Sequence, residues 1–127
     1  MITNQKKNVQ ENLEDVYMDP DEIKRVFTNL LSNAIKHNPK GIKINVTAKK
    51  KEDEILISIN DNGVGITEAE KANIFEKYKT TKRNVGTGLG LYLSKQIVAH
   101  HGGKIWFESE EGKGTTFYFT LPLTIEL

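Results

Sequence analysis

A chain of 127 residues with 37% hydrophobic and 28% charged side chains is long enough for one compact core and too short for two typical domains. Its net charge of +1 leaves no overall field for nucleic acid or a membrane surface, so any anion site must be local. The lack of cysteine excludes disulfides and thiolate metal sites, and the amino terminus shows no secretory signal. We therefore expect one cytoplasmic domain over residues 1–127.

The first strong element is a helix. Two weak strands, at about 8–13 and 16–18, are predicted ahead of it. A helix is predicted over 19–36 because apolar residues recur there with helical period. Asp19 suits the N-cap, Pro20 suits the first turn, and the Asn38-Pro39 pair ends the helix. The apolar stripe consists of Ile23, Val26, Phe27, Leu30, Leu31, Ala34 and Ile35.

Strands and shorter helices fill the rest of the chain. Period-two alternation predicts a hairpin of strands at 42–48 and 55–59, joined by the polar KKKEDE segment. A short helix is predicted at about 67–75, with Thr67 and Glu70 as a capping box, and a further helix at 89–100 that ends at Gly102 and Gly103. A last strand pair surrounds the turn EGKG. The order predicts an α+β fold, a two-layer α/β sandwich with about three helices on one face of a mixed β-sheet.

Polar residues on the long helix form the first candidate site. Asn29, Asn33, Lys36 and His37 emerge near one side of its last two turns. An amide oxygen is a suitable ligand for Mg²⁺, and a lysine one turn further on suits a phosphate oxygen. The alternative is the solvated face of an amphipathic helix. Asparagine is a mediocre helix former, so two of them one turn apart favour a functional reason.

The segment DNGVG, at the end of the second hairpin strand, forms another candidate. Gly63 and Gly65 would let the backbone turn sharply after Asp61 and allow a flat ligand to approach closely. A buried carboxylate needs a partner, and the exocyclic amine of adenine is a suitable one. On these residues alone, an ordinary turn after an edge strand is the favoured alternative.

The stretch NVGTGLGLYL places Gly86, Gly88 and Gly90 ahead of a helix, as in loops that hold phosphate. No Gly-Lys-Ser/Thr follows and no strand precedes it in a βαβ unit, so neither the Walker A loop nor the dinucleotide fingerprint matches. The basic run between Phe75 and Gly86 lacks apolar periodicity, which suits a mobile lid over phosphates or a solvated loop.

Taken in order, these segments resemble a known family. NLLSNAIKH, DNGVGI, IFEKY and GTGLGL, followed by GKGTTFYFTLP, are similar to the N, G1, F and G2 boxes of the ATP-binding catalytic domain of sensor histidine kinases, within the GHKL superfamily. The resemblance spans about residues 19–123. It implies the Bergerat ATP-binding fold, with ATP and Mg²⁺ as cofactors.

The resemblance also implies residue roles. Asn33 would be the Mg²⁺ ligand, with Asn29 beside the phosphates and Lys36 contacting them, and these three would form the catalytic set. His37 would be structural or adjacent to the nucleotide.

At the other end of the nucleotide, the resemblance implies that Asp61 binds the adenine amine. Thr115, ahead of its neighbour Thr116, would support adenine through water, and Phe75 would anchor the lid. The adenine-side turn would comprise Gly63, Gly65 and Ile66. The lid side of the nucleotide site would comprise Lys82, Arg83, Gly86, Thr87, Gly88, Leu89 and Gly90, with Lys82 or Arg83 reaching the phosphates.

The identity of residue 29 bears on the reaction. Gyrase B, MutL and the heat-shock chaperone ATPases carry a glutamate as general base four residues before the metal-binding asparagine. Asn29 holds that position here, and it cannot take a proton at neutral pH. Transfer to a nucleophilic histidine needs only positioning and charge neutralisation. We therefore predict a protein histidine kinase domain. The alternatives are a GHKL-type ATPase and an anti-sigma-type serine kinase or binding module.

The acceptor must come from elsewhere. His37, His100 and His101 are the only histidines, and none lies in a phosphoacceptor motif. The predicted partners are a dimerisation and phosphoacceptor domain, in the same longer protein or in trans, and a downstream response regulator. Neither nucleic acid nor direct membrane contact is predicted, although a longer protein could be anchored in a membrane. Residues 1–18 would include the stub of the linker to the dimerisation domain.

Overall fold

The computed structural model describes residues 5–9, 18–36, 38, 40–77 and 89–123, and of residues 5–9 only the backbone. His37, the predicted lid residues 82, 83 and 86–88, and most of the two weak predicted strands lie outside the described residues. In chain order the elements are β1 (Gln5–Val9), α1 (Pro20–Lys36), β2 (Ile44–Lys51), β3 (Glu54–Asp61), α2 (Glu68–Lys71), α3 (Gly90–His100), β4 (Ile105–Glu110) and β5 (Gly114–Pro122).

The five described strands form one sheet in the order β1-β2-β3-β5-β4. β1 runs parallel to β2, and the other neighbouring strands are antiparallel. Helices α1 and α3 contact each other and the sheet, so the described part of the chain has one helical layer and one sheet layer. The predicted α+β sandwich with a mixed sheet is confirmed.

The core lies between these two layers. Period-two alternation directs Ile57 and Ile59 of β3 towards the helices, and their partners on β5 are Phe119 and Phe117. The Phe27 ring of α1 meets the Phe119 ring edge to face at 5.4 Å between centroids. The apolar stripe of α1 therefore packs into the core as predicted, except for Ile35, which is 44% exposed.

The start of α1 and the ends of the hairpin strands are set by specific hydrogen bonds. Asp19 Oδ1 accepts hydrogen bonds from Asp21 N at 3.0 Å and Glu22 N at 3.3 Å, which confirms the predicted N-cap. The hairpin strands extend further towards the turn than predicted, because Lys51 pairs with Glu54 across a two-residue turn. The lysines at this end are exposed strand residues, since backbone pairing outweighs their polar composition. At its other end β2 begins at Ile44, two residues later than predicted.

Two other predicted boundaries were wrong. α2 is one turn long, and the chain continues as turns in which Asn73 N donates to Glu70 O and Glu76 N donates to Asn73 O. The Thr67 cap is confirmed, since its hydroxyl accepts from Glu70 N at 3.2 Å. The first strand lies at Gln5–Val9, earlier than predicted, because parallel pairing with β2 decides its position. No helix in the described ranges is long and apolar enough to cross a membrane.

Candidate nucleotide site

Three polar side chains lie in one row across the helix-facing side of the sheet, at its end. Asp61 of β3 is paired with Thr115 of β5, which is paired with Ser109 of β4. Asp61 shares its face with Ile57 and Ile59 because side chains alternate along a strand. We call Asp61, Thr115 and Ser109 the polar row. It brings the two predicted adenine-side residues, Asp61 and Thr115, side by side.

The polar row is hydrogen-bonded, and two of its members are buried while Ser109 is half-buried. Asp61 is 3% exposed and Thr115 is 1% exposed. Asp61 Oδ1 accepts from Gly63 N at 2.9 Å. Thr116 lies on the opposite face, where its hydroxyl accepts from Asn60 Nδ2 at 2.8 Å. Thr115 and not Thr116 therefore faces the same side as Asp61.

Ser109 is a member of the site region that the sequence analysis missed. Its hydroxyl accepts from Ile66 N at 2.8 Å, donates to Gly114 O at 3.0 Å and lies 2.8 Å from Thr115 Oγ1. When the single Ser109 proton serves Gly114 O, the Thr115 hydroxyl must donate to Ser109. The only sequence signal was a small polar residue in the alternating strand WFESE.

The two glycines of the DNGVG segment lie close to other parts of the protein. Gly65 has a φ of +77°, and a Cβ there would lie 2.8 Å from Glu111 Cα. A Cβ on Gly63 would lie 2.6 Å from Asn38 Nδ2. The sequence had suggested close approach of a flat ligand, whereas the described geometry gives each glycine a packing reason.

Asn38 connects this segment to the end of α1. Its Oδ1 accepts from Val64 N at 2.8 Å, and its Nδ2 donates to Ala34 O at 2.7 Å. From the sequence, Asn38 was predicted only to end the helix. Its long-range bond to Val64 leaves no sequence signal, because the two residues meet only in the folded chain.

The polar face of α1 shows two different environments. Asn33 is 7% exposed, and among the described residues its Nδ2 has no hydrogen-bond partner. An unsatisfied buried amide is unfavourable by about 1–3 kcal/mol, so this atom indicates a place for a ligand. Lys36 is exposed in the last turn of the helix. These two residues do not make the continuous solvated face of the alternative interpretation.

Asn29 is tied to α3. Its Nδ2 donates to Gly90 O at 3.2 Å and approaches Ser94 Oγ at 3.4 Å, and Ser94 Oγ donates to Gly90 O at 2.9 Å. The structure therefore brings together Asn29 and Gly90, which belong to two separate predicted boxes. The N-cap residue of α3 is Leu89, whose side chain accepts no hydrogen bond from the first N–H groups of the helix.

Phe75 packs on the sheet. Its ring centroid lies 5.9 Å from that of Phe107 and 6.2 Å from that of Phe117. The Lys95 ammonium lies 5.7 Å from the Phe75 ring centroid. These contacts hold Phe75 against β4 and β5, two residues before the described range ends at residue 77.

The donor set can be tested against a magnesium ion. No group of three or more His, Cys, Asp or Glu side chains that could hold a metal exists in the described ranges. Among the described residues Asn33 offers an amide oxygen, a ligand type that suits a hard cation whose remaining ligands come from phosphates and water. The residues present therefore fit Mg²⁺ held jointly with a nucleotide.

Comparison with known proteins identifies the family of this chain. Residues 18–125 match the family described as histidine kinase-, DNA gyrase B-, and HSP90-like ATPase. Sporulation kinase E of Bacillus subtilis is 48% identical over 109 residues, which are 85% of this chain and 15% of that protein. The chain thus spans less than a third of the curated relatives it matches first.

Two solved structures are similar as well. The catalytic domain of histidine kinase ThkA is 36% identical with a TM-score of 0.79, over 96% of this chain and 82% of that one. Full-length ShkA in complex with AMPPNP is 26% identical with a TM-score of 0.85, over 97% of this chain and 26% of that one. The chain therefore belongs to the family of histidine kinase-, DNA gyrase B- and HSP90-like ATPases, and within it to the catalytic domains of the histidine kinase type.

Proposed function

We propose that this domain binds Mg-ATP and transfers the γ-phosphate to a histidine on a separate dimerisation and phosphoacceptor domain. The observation that carries the proposal is the buried Nδ2 of Asn33, in a chain of the histidine kinase type. This donor lacks an acceptor among the described residues, and a phosphate oxygen of the nucleotide would supply one. A ligand that supplied that partner would remove the penalty of about 1–3 kcal/mol for an unsatisfied buried group.

Adenine would bind at the polar row. The Asp61 carboxylate would accept a hydrogen bond from the exocyclic amine, with Thr115 next to it supporting the ring through water. Gly63, Gly65 and Ile66 form the adjoining segment, whose backbone is fixed by Asn38 and Ser109. The complex of ShkA with AMPPNP supports a nucleotide of the ATP type for this fold.

The phosphates would lie near α1 and the start of α3. Asn33 would hold Mg²⁺ with the phosphate oxygens, and the ion would supply charge neutralisation for the transferred group. Asn29 and Lys36 would border the phosphates, and His37 would lie next to them. From the other side, Phe75 would anchor a lid whose members are Lys82, Arg83, Gly86, Thr87, Gly88, Leu89 and Gly90.

Kinase activity is preferred to hydrolysis because of Asn29. Its amide group donates to Gly90 O and has no basic nitrogen or carboxylate to take a proton from water. In the transfer, a bond forms between an acceptor imidazole nitrogen and the γ-phosphorus, the bond from that phosphorus to the β,γ-bridging oxygen breaks, and ADP leaves. The nucleophile is the histidine of the partner, so this domain orients the nucleotide.

The proposed partners follow from the same reaction. The acceptor domain would belong to the same longer protein or act in trans, and residues 1–18 would lead towards it. A response regulator would receive the phosphoryl group downstream. The printed names of two curated relatives, sensor histidine kinase WalK and adaptive-response sensory kinase SasA, support these partners. We place the domain in the cytoplasm as part of the same proposal.

The decisive experiment mixes this domain with labelled Mg-ATP and a dimerisation domain. We expect label on the dimerisation domain that is labile in acid and stable in alkali, as phosphohistidine is, and no label when the acceptor histidine is replaced by glutamine. Acid-stable label would favour a serine kinase of the anti-sigma type. Steady phosphate release by the domain alone, without transfer, would favour an ATPase.

A further inference from the structure

The Asn38 side chain makes two hydrogen bonds to the backbone, one to an N–H donor and one to a C=O acceptor. Val64 N–H can only donate, so the atom 2.8 Å from it is the amide oxygen Oδ1. Ala34 C=O can only accept, so the atom 2.7 Å from it is Nδ2. Ala34 is in the last turns of α1, where carbonyl groups lack partners within the helix. The amide of Asn38 is thus fixed in orientation and bridges α1 to the segment after β3.

The segment fits around that amide. A Cβ on Gly63 would lie 2.6 Å from Asn38 Nδ2 and closer still to Cγ and Oδ1. The φ of Gly63 is not in the left-handed region, so an alanine there would be resisted by the Asn38 side chain and not by its own backbone. Gly63 and Asn38 are therefore a matched pair.

The same segment holds the carboxylate of the polar row. Gly63 N, one residue before the amide bound by Asn38, donates to Asp61 Oδ1 at 2.9 Å. Any shift of Gly63 and Val64 changes the direction of that donor. A change in its direction would turn the carboxylate that faces the nucleotide.

We propose that Asn38 is a positioning residue for adenine selectivity: by holding Val64 and Gly63, it sets the orientation in which Asp61 accepts the amine of adenine. The proposal rests on the proposed function, because it assigns Asp61 to the adenine amine. Asn38 itself need not touch the nucleotide. Its effect is specific to the amine, which separates it from a residue that only stabilises the fold.

The test compares ATP with purine riboside triphosphate, which lacks the amine, by calorimetric titration in the presence of Mg²⁺. For Asn38→Ala we expect the Kd for ATP to rise about fivefold, the factor for one lost hydrogen bond, while the Kd for the analogue changes less than about twofold. An equal loss for both nucleotides, or no loss for either, overturns the proposal.

The matched control is Asn60→Ala. Asn60 is also half-buried and also donates one side-chain hydrogen bond, to Thr116 Oγ1 at 2.8 Å, but on the opposite face of β3. We expect the ratio of the Kd for the analogue to the Kd for ATP to be the same in Asn60→Ala as in the wild type. If Asn60→Ala lowers the ratio as much as Asn38→Ala does, the effect is one of general stability and the proposal is wrong. A wild-type domain that binds neither nucleotide would instead contradict the proposed function itself.

A second measurement needs no knowledge of the ligand pose. Gly63→Ala should weaken ATP binding and lower stability, because its Cβ meets the fixed amide of Asn38. In the double variant with Asn38→Ala that amide is gone, so we expect ATP binding and the urea midpoint to equal those of Asn38→Ala alone. Multiplicative losses in the double variant would show that the two residues do not act together and would overturn the proposal.

Discussion

Replacing Ser109 with alanine tests whether the adenine side of the site is held from β4. The Ser109 hydroxyl accepts from Ile66 N, donates to Gly114 O and contacts Thr115. Ile66 is fully buried, so its N–H cannot turn to bulk water when the hydroxyl is removed. The loss therefore leaves a buried donor without its partner and weakens the polar row at the same time.

The magnitude follows from these contacts. One unsatisfied buried N–H is unfavourable by about 1–3 kcal/mol, and the lost bond to Gly114 O adds about 1 kcal/mol. We expect Ser109→Ala to lower the free energy of unfolding by about 3 kcal/mol, which lowers Tm by roughly 10 °C in a domain of this size.

The assay is urea unfolding followed by far-UV circular dichroism, with Ser58→Ala as the control. Ser58 is a half-buried serine of β3 on the outer face of the sheet, and its replacement should change the free energy by less than about 1 kcal/mol. A loss below about 1 kcal/mol for Ser109→Ala would refute the reasoning, because it would mean that another group satisfies Ile66 N.

Three further predictions concern single side chains. Asp61→Asn presents an amide donor or a weaker acceptor to the adenine amine, so calorimetry should show at least about tenfold weaker ATP binding with the fold intact; unchanged affinity would contradict the adenine assignment. Asn33→Ala removes an unpartnered buried donor and introduces a better helix former. Urea unfolding of the nucleotide-free domain should therefore show about 1 kcal/mol more stability, while Mg-dependent ATP binding is lost. A lower stability of this variant would instead indicate a structural role for Asn33. A hydrogen bond to Glu108, burial and the charge of Glu108 together raise the pKa of Tyr118 above 10.0, despite the opposing effect of Thr116. The neutral phenol therefore contributes stability that is complete below the unfolded pKa of about 10 and is lost as the pH rises through the folded pKa. Absorbance titration against Tyr118→Phe should show this raised pKa, and Glu108→Gln should lower it.

Much of the fold was readable from the sequence because it depends on local chemistry. The period of α1, its Asp19 cap and the Thr67 cap are properties of neighbouring residues, and all three were predicted. The four ordered boxes identified the family, since each box is a continuous segment. The family resemblance also favoured Thr115 over Thr116, and in the structure Thr115 lies on the same face of the sheet as Asp61.

The errors lie where distant segments meet. Parallel pairing with β2 moved β1 to Gln5–Val9, and antiparallel pairing extended the hairpin strands through the lysines. Neither pairing is encoded in the composition of a single segment. Helix α2 is one turn because the following turns bring Ile74 and Phe75 to the core.

By itself, the sequence predicted which residues would carry the chemistry: the two asparagines of α1, the carboxylate of Asp61 and the glycines after it. Only the tertiary structure decided what holds them. Asn38 and Val64 are 26 residues apart, and Ile66 and Ser109 are 43 residues apart, so their hydrogen bonds exist only after the helix and the strands have packed. Side-chain chemistry is a property of the residue, whereas orientation is a property of the contacts around it. The supporting residues of the site therefore became visible only in the fold.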